Sequence, residues 1–166
     1  EIYVGDQLKT QQNAILRSAF ITKICPNIPT TSPPTSQLSL PDNVHINSVR
    51  KLVVRLKLEG EPITPTANSI ESYELDIRAP VATIQATEVW GARHAFETFF
   101  QLVGRDNHGF SFPWFRPVKI IDEPKYSWRG LMLDTSRHYF SITSIQRTLQ
   151  AMSMNKLNVF HWHISD

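Results

Sequence analysis

The chain has 166 residues, of which 41% are hydrophobic, 19% charged and 10% aromatic, which is typical of a globular domain and argues against disorder or a collagen-like structure. Its formal net charge of +2 at pH 7, with Lys and Arg scattered, gives no reason to expect a nucleic-acid surface. No apolar run reaches the roughly 20 residues of a membrane helix, and a whole eight-stranded β/α barrel of about 200 residues or more does not fit this length.

The first 48 residues predict a helix and then an exposed loop. From about Gln11 to Ile24, apolar residues recur at the spacing of one helix face. Residues 26–41 contain five prolines among Ser and Thr, so this stretch is interpreted as a connecting loop. Cys25 is the single cysteine, so we expect no disulfide within the chain; it is either a buried thiol or the partner of a cysteine elsewhere. We also expect no targeting segment in this sequence.

Three strands are predicted in the next stretch. Apolar and charged residues alternate over Val49–Leu58 and again from Tyr73 to Ile77, with the period of a strand that has one buried face. A shorter run, Ala82–Ala86, lies just beyond Pro80. Because turn-rich segments separate the strands, we predict an antiparallel sheet.

An amphipathic helix is predicted to cover this sheet. Its apolar residues fall at helical spacing from Val89 to Val103, and Gly104 is placed to end it. Residues 1–123 are therefore expected to form an α+β domain, an antiparallel sheet with covering helices. Three polar residues of the helical segment resemble catalytic groups but are expected to face solvent: Glu88, His94 and Glu97.

Residues 124–166 change character and predict one β-α-β unit. Trp128–Leu133 is an almost continuous apolar run, as in a strand buried on both faces. Thr143 then stands three residues before Gln146, a capping-box spacing that predicts a helix start, and Leu157–Ile164 returns to strand character. The apolar stripe of the helix consists of Ile145, Leu149 and Met152, and the residues expected to end it are Asn155 and Lys156.

Polar residues cluster after both strands, where parallel α/β folds place their sites. The first strand is followed by Asp134, Ser136, Arg137 and His138, and the second ends with His161, His163 and Asp166. Such groups at one sheet edge can bind a polar ligand through charge-assisted hydrogen bonds. Because His161 and His163 share one face of a strand, they are candidate metal ligands, although no third ligand is evident; the alternative is that both are structural.

Two long motifs resemble the first two barrel strands of the family 20 β-N-acetylhexosaminidases. They are YSWRGLMLDTSRHY, from Tyr126 to Tyr139, and NKLNVFHWHISD, from Asn155 to Asp166. Upstream, ESYEL, ATEVWGA and ETFFQL are similar to the α+β domain that precedes the barrel in these enzymes. The resemblance implies an auxiliary α+β domain over 1–123, matched only loosely over 1–48, and the first β-α-β unit of an incomplete TIM (β/α)8 barrel over 124–166.

What the resemblance implies is hydrolysis of terminal, non-reducing N-acetylglucosamine or N-acetylgalactosamine by substrate-assisted, retaining catalysis. The acetamido oxygen of the sugar attacks the anomeric carbon, an Asp orients the acetamido group, and the adjacent Glu protonates the leaving oxygen. A nucleophile already attached to the substrate avoids the entropy cost of recruiting one. The family's Asp-Glu pair lies on the fourth strand, so no catalytic residue is expected within this chain, and the isolated fragment is expected to be inactive.

Site residues follow by matching the motifs. Arg137 corresponds to the arginine that binds the hydroxyls of the innermost sugar, and Asp166 to an acidic residue that supports the charge network around the catalytic acid. The residues expected to brace the top of the barrel are Asp134, His138, His161 and His163, and Arg129 is expected to be structural. The resemblance implies a carbohydrate substrate, no cofactor and no metal, a homodimer for the complete enzyme, and a lysosomal, secreted or membrane-associated location.

Two other function classes stay open. One is a naturally short, non-catalytic protein that binds a sugar or another partner. The other is a metal-dependent barrel hydrolase that uses His161 and His163. The sequence does not distinguish chitin fragments, N-glycans and other glycoconjugates as substrates.

Overall fold

A computed structural model of the chain describes residues 2–4, 15–16, 47–49, 51–57, 64–102, 104–106, 109–112 and 117–165. They belong to two compact units, Glu1–Pro65 with Ser69–Glu123 and Thr66–Asn68 with Pro124–Asp166. The predicted loop 26–41, Cys25 and Asp166 lie outside the described residues. Of the predicted first helix, Ile15 and Leu16 are described, and both are helical. Across the described ranges, no helix combines the length and the apolar character needed to cross a membrane.

The strands of the first unit form two sheets. In chain order they are β1 (Ile2–Val4), β2 (Asn47–Ser48), β3 (Lys51–Leu56), β4 (Tyr73–Arg78), β5 (Val81–Ala86), β6 (Gly104–Asp106), β7 (Gly109–Phe112) and β8 (Val118–Asp122). The larger sheet has the order β1-β3-β5-β4-β8, and the smaller one the order β2-β7-β6. The three predicted strands are confirmed as β3, β4 and β5.

The larger sheet is mixed, so the predicted antiparallel arrangement is wrong in part. β4 and β5 form an antiparallel hairpin around Ala79 and Pro80, but β3 pairs with the far edge of β5 and runs parallel to it. Residues 57–72 lead from β3 to β4, and β5 then returns along the sheet between these two strands, which makes it parallel to β3. The alternating pattern identified each strand but did not determine which strands are neighbours.

The helix α1 (Val89–Leu102) packs its apolar face on this sheet, and the helical residue Leu16 belongs to the same core. Most of the alternate residues predicted to be buried in the strands are confirmed: Leu52, Val54, Tyr73, Leu75, Ile77, Ala82, Ile84 and Ala86. Leu56 is only partly buried, and Leu58 lies outside the described residues. α1 adds Val89, Ala92, Ala95, Phe96 and Phe99 to the same core. Burying a large aliphatic or aromatic side chain contributes about 1.5–3 kcal/mol, so this layer supplies most of the apolar stabilisation among the described residues.

The polar side of α1 is less exposed than the sequence predicts. Glu97 is only 6% exposed, and Nε2 of His94 lies 3.1 Å from Oε1 of Glu71, with both side chains more than four-fifths buried. The expectation that both residues face solvent is therefore wrong. For His94 the reason is the close approach of the helix to residues 71–72 at Gly91, which lies one turn before His94 on the same side of α1.

The second unit is a strand, a helix and a strand, as predicted: β9 (Gly130–Asp134), α2 (Ile142–Met154) and β10 (Val159–His163). β9 and β10 are parallel, with Gly130 opposite Val159 and Asp134 opposite His163. α2 ends at Met154 with Asn155 as its C-cap, in agreement with the prediction that Asn155 and Lys156 end the helix.

Two local predictions in the second unit are wrong. The residue that caps α2 is Ser141, whose side chain accepts a hydrogen bond of 3.2 Å from the backbone N–H of Ser144, whereas Thr143 lies inside the first turn. β9 begins two residues later than predicted and is not buried on both faces, because Met132 is 59% exposed. A parallel strand is buried only when other elements cover both faces of its sheet, and the described part of this unit has one helix and two strands.

Candidate functional site at the carboxyl edge of the parallel strands

The carboxyl ends of β9 and β10 lie side by side. In a parallel ladder, residues opposite each other project from the same face of the sheet, so Asp134 and His163 meet there. Oδ1 of Asp134 is 3.3 Å from Nδ1 of His163. The polar residues predicted to follow β9 and those predicted at the end of β10 are thus connected through the pair of Asp134 and His163.

The carboxylate of Asp134 also holds the loop that follows β9. The backbone N–H groups of Ser136 and Arg137 both donate to Oδ1, at 2.9 and 3.1 Å. The N–H of Arg137 is the main cause of a lowered pKa for Asp134. Burial acts in the opposite direction, and His163 and the N–H of Ser136 add to the lowering. The carboxylate is therefore ionised at neutral pH.

A second set of hydrogen bonds fixes the same loop to β10. The backbone N–H of Thr135 donates to the carbonyl oxygen of His163 at 2.9 Å, and its hydroxyl donates to the same oxygen at 3.3 Å. The indole Nε1–H of Trp162 donates to Oγ1 of Thr135 at 2.9 Å. The strand ends and the loop thus form one hydrogen-bonded network.

The remaining predicted site residues lie around this network. Arg137 and His138 are exposed residues of the loop, and His161 is exposed two positions before His163 on the same strand. Asp166 lies outside the described residues. Within the part of the chain that the structure describes, no three His, Cys, Asp or Glu side chains come close enough to hold a metal ion. The edge can present a guanidinium and imidazole groups to a polar ligand.

At the opposite end of β9, Arg129 has a structural environment. Its Nε donates to the carbonyl oxygen of Lys156 at 2.9 Å, and a terminal nitrogen donates to that of Tyr126 at 2.7 Å. The side chain of Asn158 accepts from the N–H of Arg129 at 2.9 Å and donates to the carbonyl oxygen of Ser127 at 2.7 Å. These bonds fix the starts of both strands and so support the register at their carboxyl ends.

Sequence reasoning did not identify the roles of Thr135, Trp162 and Asn158. Thr135 stands directly after Asp134 in the loop, and Trp162 lies between the two histidines. The indole of Trp162 and the hydroxyl of Thr135 meet because the register of β9 and β10 places Trp162 opposite Leu133, two residues before Thr135. The usable signal was position: a hydroxyl residue directly after a strand is placed to bond to the neighbouring strand end.

Both units match known protein families. Residues 126–166 match the catalytic domain of glycosyl hydrolase family 20, and residues 4–102 match the family described as beta-acetyl hexosaminidase like. Among curated proteins, the chain is 46% identical over 120 residues to the human beta-hexosaminidase subunit beta, covering 71% of this chain and 21% of that protein. It is 44% identical over 102 residues to the rat beta-hexosaminidase subunit alpha, covering 61% of this chain and 19% of that protein.

Solved structures give the same result. The chitobiase of Flavobacterium johnsoniae has 30% sequence identity and a TM-score of 0.64, and the match covers 100% of this chain and 24% of that one. The GH20 beta-N-acetylhexosaminidase of Streptomyces coelicolor has 26% sequence identity and a TM-score of 0.61, and the match covers 100% of this chain and 30% of that one. The chain thus spans about a fifth of the length of the curated relatives it matches.

Proposed function

Because the chain belongs to glycosyl hydrolase family 20, we propose that it is part of a β-N-acetylhexosaminidase. Residues 1–123 are its auxiliary α+β domain, and residues 124–166 are the opening β-α-β unit of a TIM-barrel catalytic domain. The observation that carries the proposal is the carboxyl edge of β9 and β10, where the loop of Arg137 is fastened inside the segment that matches the catalytic domain. In TIM barrels this edge carries the active site.

The proposed reaction removes terminal, non-reducing N-acetylglucosamine or N-acetylgalactosamine from a carbohydrate, with retention at the anomeric carbon. The acetamido group of the substrate acts as the nucleophile. The Asp that orients this group and the Glu that protonates the leaving oxygen belong to a later part of the barrel. This chain contributes binding and orientation of the sugar.

Arg137 is the residue proposed to bind the sugar. It is exposed in the loop after β9, and its planar fork of N–H donors suits vicinal hydroxyl groups. Asp166 is proposed to support the charge network around the catalytic acid, and His138 and His161 to brace the top of the barrel. A tightly oriented sugar reacts faster because its acetamido oxygen is already in position.

The direct test is hydrolysis of an aryl β-N-acetylglucosaminide by the full-length protein that contains this chain. We expect turnover by the full-length protein and none by the 166 residues alone. Loss of two charge-assisted hydrogen bonds, each about 1.5–3 kcal/mol, predicts that Arg137→Ala lowers kcat/KM by about 100-fold or more. Arg137→Lys restores only part of this, because an ammonium group cannot form the bidentate contact.

Arg147→Ala is the matched control, because Arg147 is an exposed arginine of α2 in the same unit; its kcat/KM should equal that of the wild type. Binding of N-acetylglucosamine without hydrolysis by the full-length protein would instead favour the non-catalytic sugar-binding alternative. Activity that disappears with a chelator and returns with a divalent metal would favour the metal-dependent hydrolase.

Assembly and location are further parts of the proposal. The curated relatives are named as subunits alpha and beta of beta-hexosaminidase, which supports assembly of the complete enzyme, in the simplest case as a homodimer. Sedimentation equilibrium of the full-length protein tests this assembly, and a monomer at micromolar concentration contradicts it.

A lysosomal, secreted or membrane-associated location is proposed from the family and is tested by fractionation of cells that express the protein.

A further inference from the structure

Three consecutive residues of the loop after β9 are fastened through their backbone N–H groups. Thr135 donates to the carbonyl oxygen of His163, and Ser136 and Arg137 donate to Oδ1 of Asp134. The last of these N–H groups belongs to Arg137, the residue proposed to bind the sugar. The position of the Arg137 Cα, from which its side chain starts, is therefore set by Asp134.

Asp134 is itself tied to the neighbouring strand. Oδ1, the same atom that accepts both backbone N–H groups, lies 3.3 Å from Nδ1 of His163, and the two residues are opposite each other in the parallel register. The pair is partly accessible, with side-chain exposures of 36% for His163 and 28% for Asp134. It thus stands at the open edge of the sheet, where strand and loop meet.

We propose that Asp134 and His163 form a positioning pair that orients Arg137 toward the sugar. His163, with its proton on Nδ1, donates to Oδ1 of Asp134. This contact keeps the carboxylate in the position from which it accepts the backbone N–H groups of Ser136 and Arg137. This assignment rests on the proposed function, because it gives Arg137 a sugar to bind. It predicts that the pair acts on turnover through Arg137 and does not contact the substrate itself.

The kinetic test is a double-mutant cycle in the full-length protein. A displacement of about 1 Å at a catalytic site can cost about 100-fold, so we expect Asp134→Ala to lower kcat/KM by about 10- to 100-fold. In the Arg137→Ala background, the same substitution should change kcat/KM by less than about twofold. A residue that only stabilises the fold would give equal losses in both backgrounds, and that result would overturn the proposal.

Conservative variants separate positioning from general destabilisation. Asn at position 163 can place its amide nitrogen near the site of Nδ1, so His163→Asn should retain more activity than His163→Ala. Equal losses in these two variants would count against a donor role for Nδ1. Asp76→Asn is the matched control, because Asp76 forms an ion pair with Arg78 at 2.9 Å in the first unit; it should leave kcat/KM unchanged.

A measurement that does not depend on activity completes the test. Hydrogen exchange followed by mass spectrometry should show faster exchange in the peptide that contains Ser136 and Arg137 in Asp134→Ala, with the peptides of α2 unchanged. Unchanged exchange in that loop would overturn the positioning role even if the variant were inactive. If the wild-type protein showed no hydrolysis, the proposed function would fail, and the exchange result would still decide whether Asp134 holds the loop.

Discussion

Gly91 of α1 offers a sharp test of how the first unit is packed, because two effects of replacing it with Ala oppose each other. In a helix interior, Ala is favoured over Gly by about 0.8–1.0 kcal/mol. At this position, however, an added Cβ would clash with the carbonyl oxygen of Ser72 and lie 3.1 and 3.2 Å from the carbonyl carbons of Ser72 and Glu71. These separations are well inside the optimum of about 3.5–4.0 Å for carbon atoms.

The clash should outweigh the gain in propensity. All the nearest atoms belong to the backbone, so no side chain can rotate away and the helix itself must retreat. Retreat loosens the packing of Phe96 and Phe99, which are each only 2% exposed. Overpacking of this kind costs about 1–3 kcal/mol, and the net prediction for Gly91→Ala is a free energy of unfolding lower by roughly 1–2 kcal/mol.

Urea-induced unfolding, followed by circular dichroism and tryptophan fluorescence, measures this change. Gln101→Ala is the control, since Gln101 is an exposed residue of the same helix whose replacement alters propensity with no steric conflict. It also removes the hydrogen bond of 3.3 Å from Nε2 of Gln101 to Oε1 of Glu97, whose contribution is subtracted in the comparison. Equal or greater stability of Gly91→Ala would refute the reasoning, because it would mean that α1 does not approach residues 71–72 as closely as described.

Three further outcomes are expected. Tyr73→Phe should lower the free energy of unfolding by about 1–3 kcal/mol, because the hydroxyl donates to Oδ2 of Asp122 at 2.7 Å and bonds to Thr98 at 2.6 Å; urea midpoints equal to wild type would contradict this. Ser141→Ala should cost about 1 kcal/mol by removing the cap of α2, and loss of stability on Thr143→Ala instead would show that the cap is misassigned. The pKa of Asp134 is lower in the folded protein than in the unfolded chain, where it is about 3.9. The ionised carboxylate therefore stabilises the fold at pH values above the unfolded pKa, and this stabilisation is lost as the pH falls through the folded pKa. Asp134→Asn should therefore flatten the acid limb of the stability curve, and an unaltered acid limb would contradict the assigned hydrogen bonds.

The sequence predicted features that depend on local periodicity. Alternation identified β3 and β4 and the residues they bury, such as Leu52 and Leu75, because one-sided burial forces a period of two. It did not predict that β3 lies beside β5, since pairing depends on where a long connection carries the chain. The partial burial of His94 was missed for a similar reason: it results from the close approach at Gly91, a contact between distant segments.

At the candidate site, too, the sequence predicted which residues matter but not the contacts between them. Asp134, Arg137 and His163 were selected because they follow strands, and the resemblance to the family attached roles to them. The hydrogen bonds that connect them depend on the register between β9 and β10, with Asp134 opposite His163. No local pattern contains that register, so the function of Asp134 as the acceptor for two loop N–H groups emerged only from the structure.

The central claim is that this chain supplies the sugar-binding arginine of a family 20 hexosaminidase. Its most direct test is kcat/KM of the full-length protein and its Arg137→Ala variant on an aryl β-N-acetylglucosaminide. The account predicts hydrolysis by the wild type and a loss of about 100-fold or more in the variant. Equal kcat/KM for the two proteins, or no hydrolysis by the wild type, would contradict it.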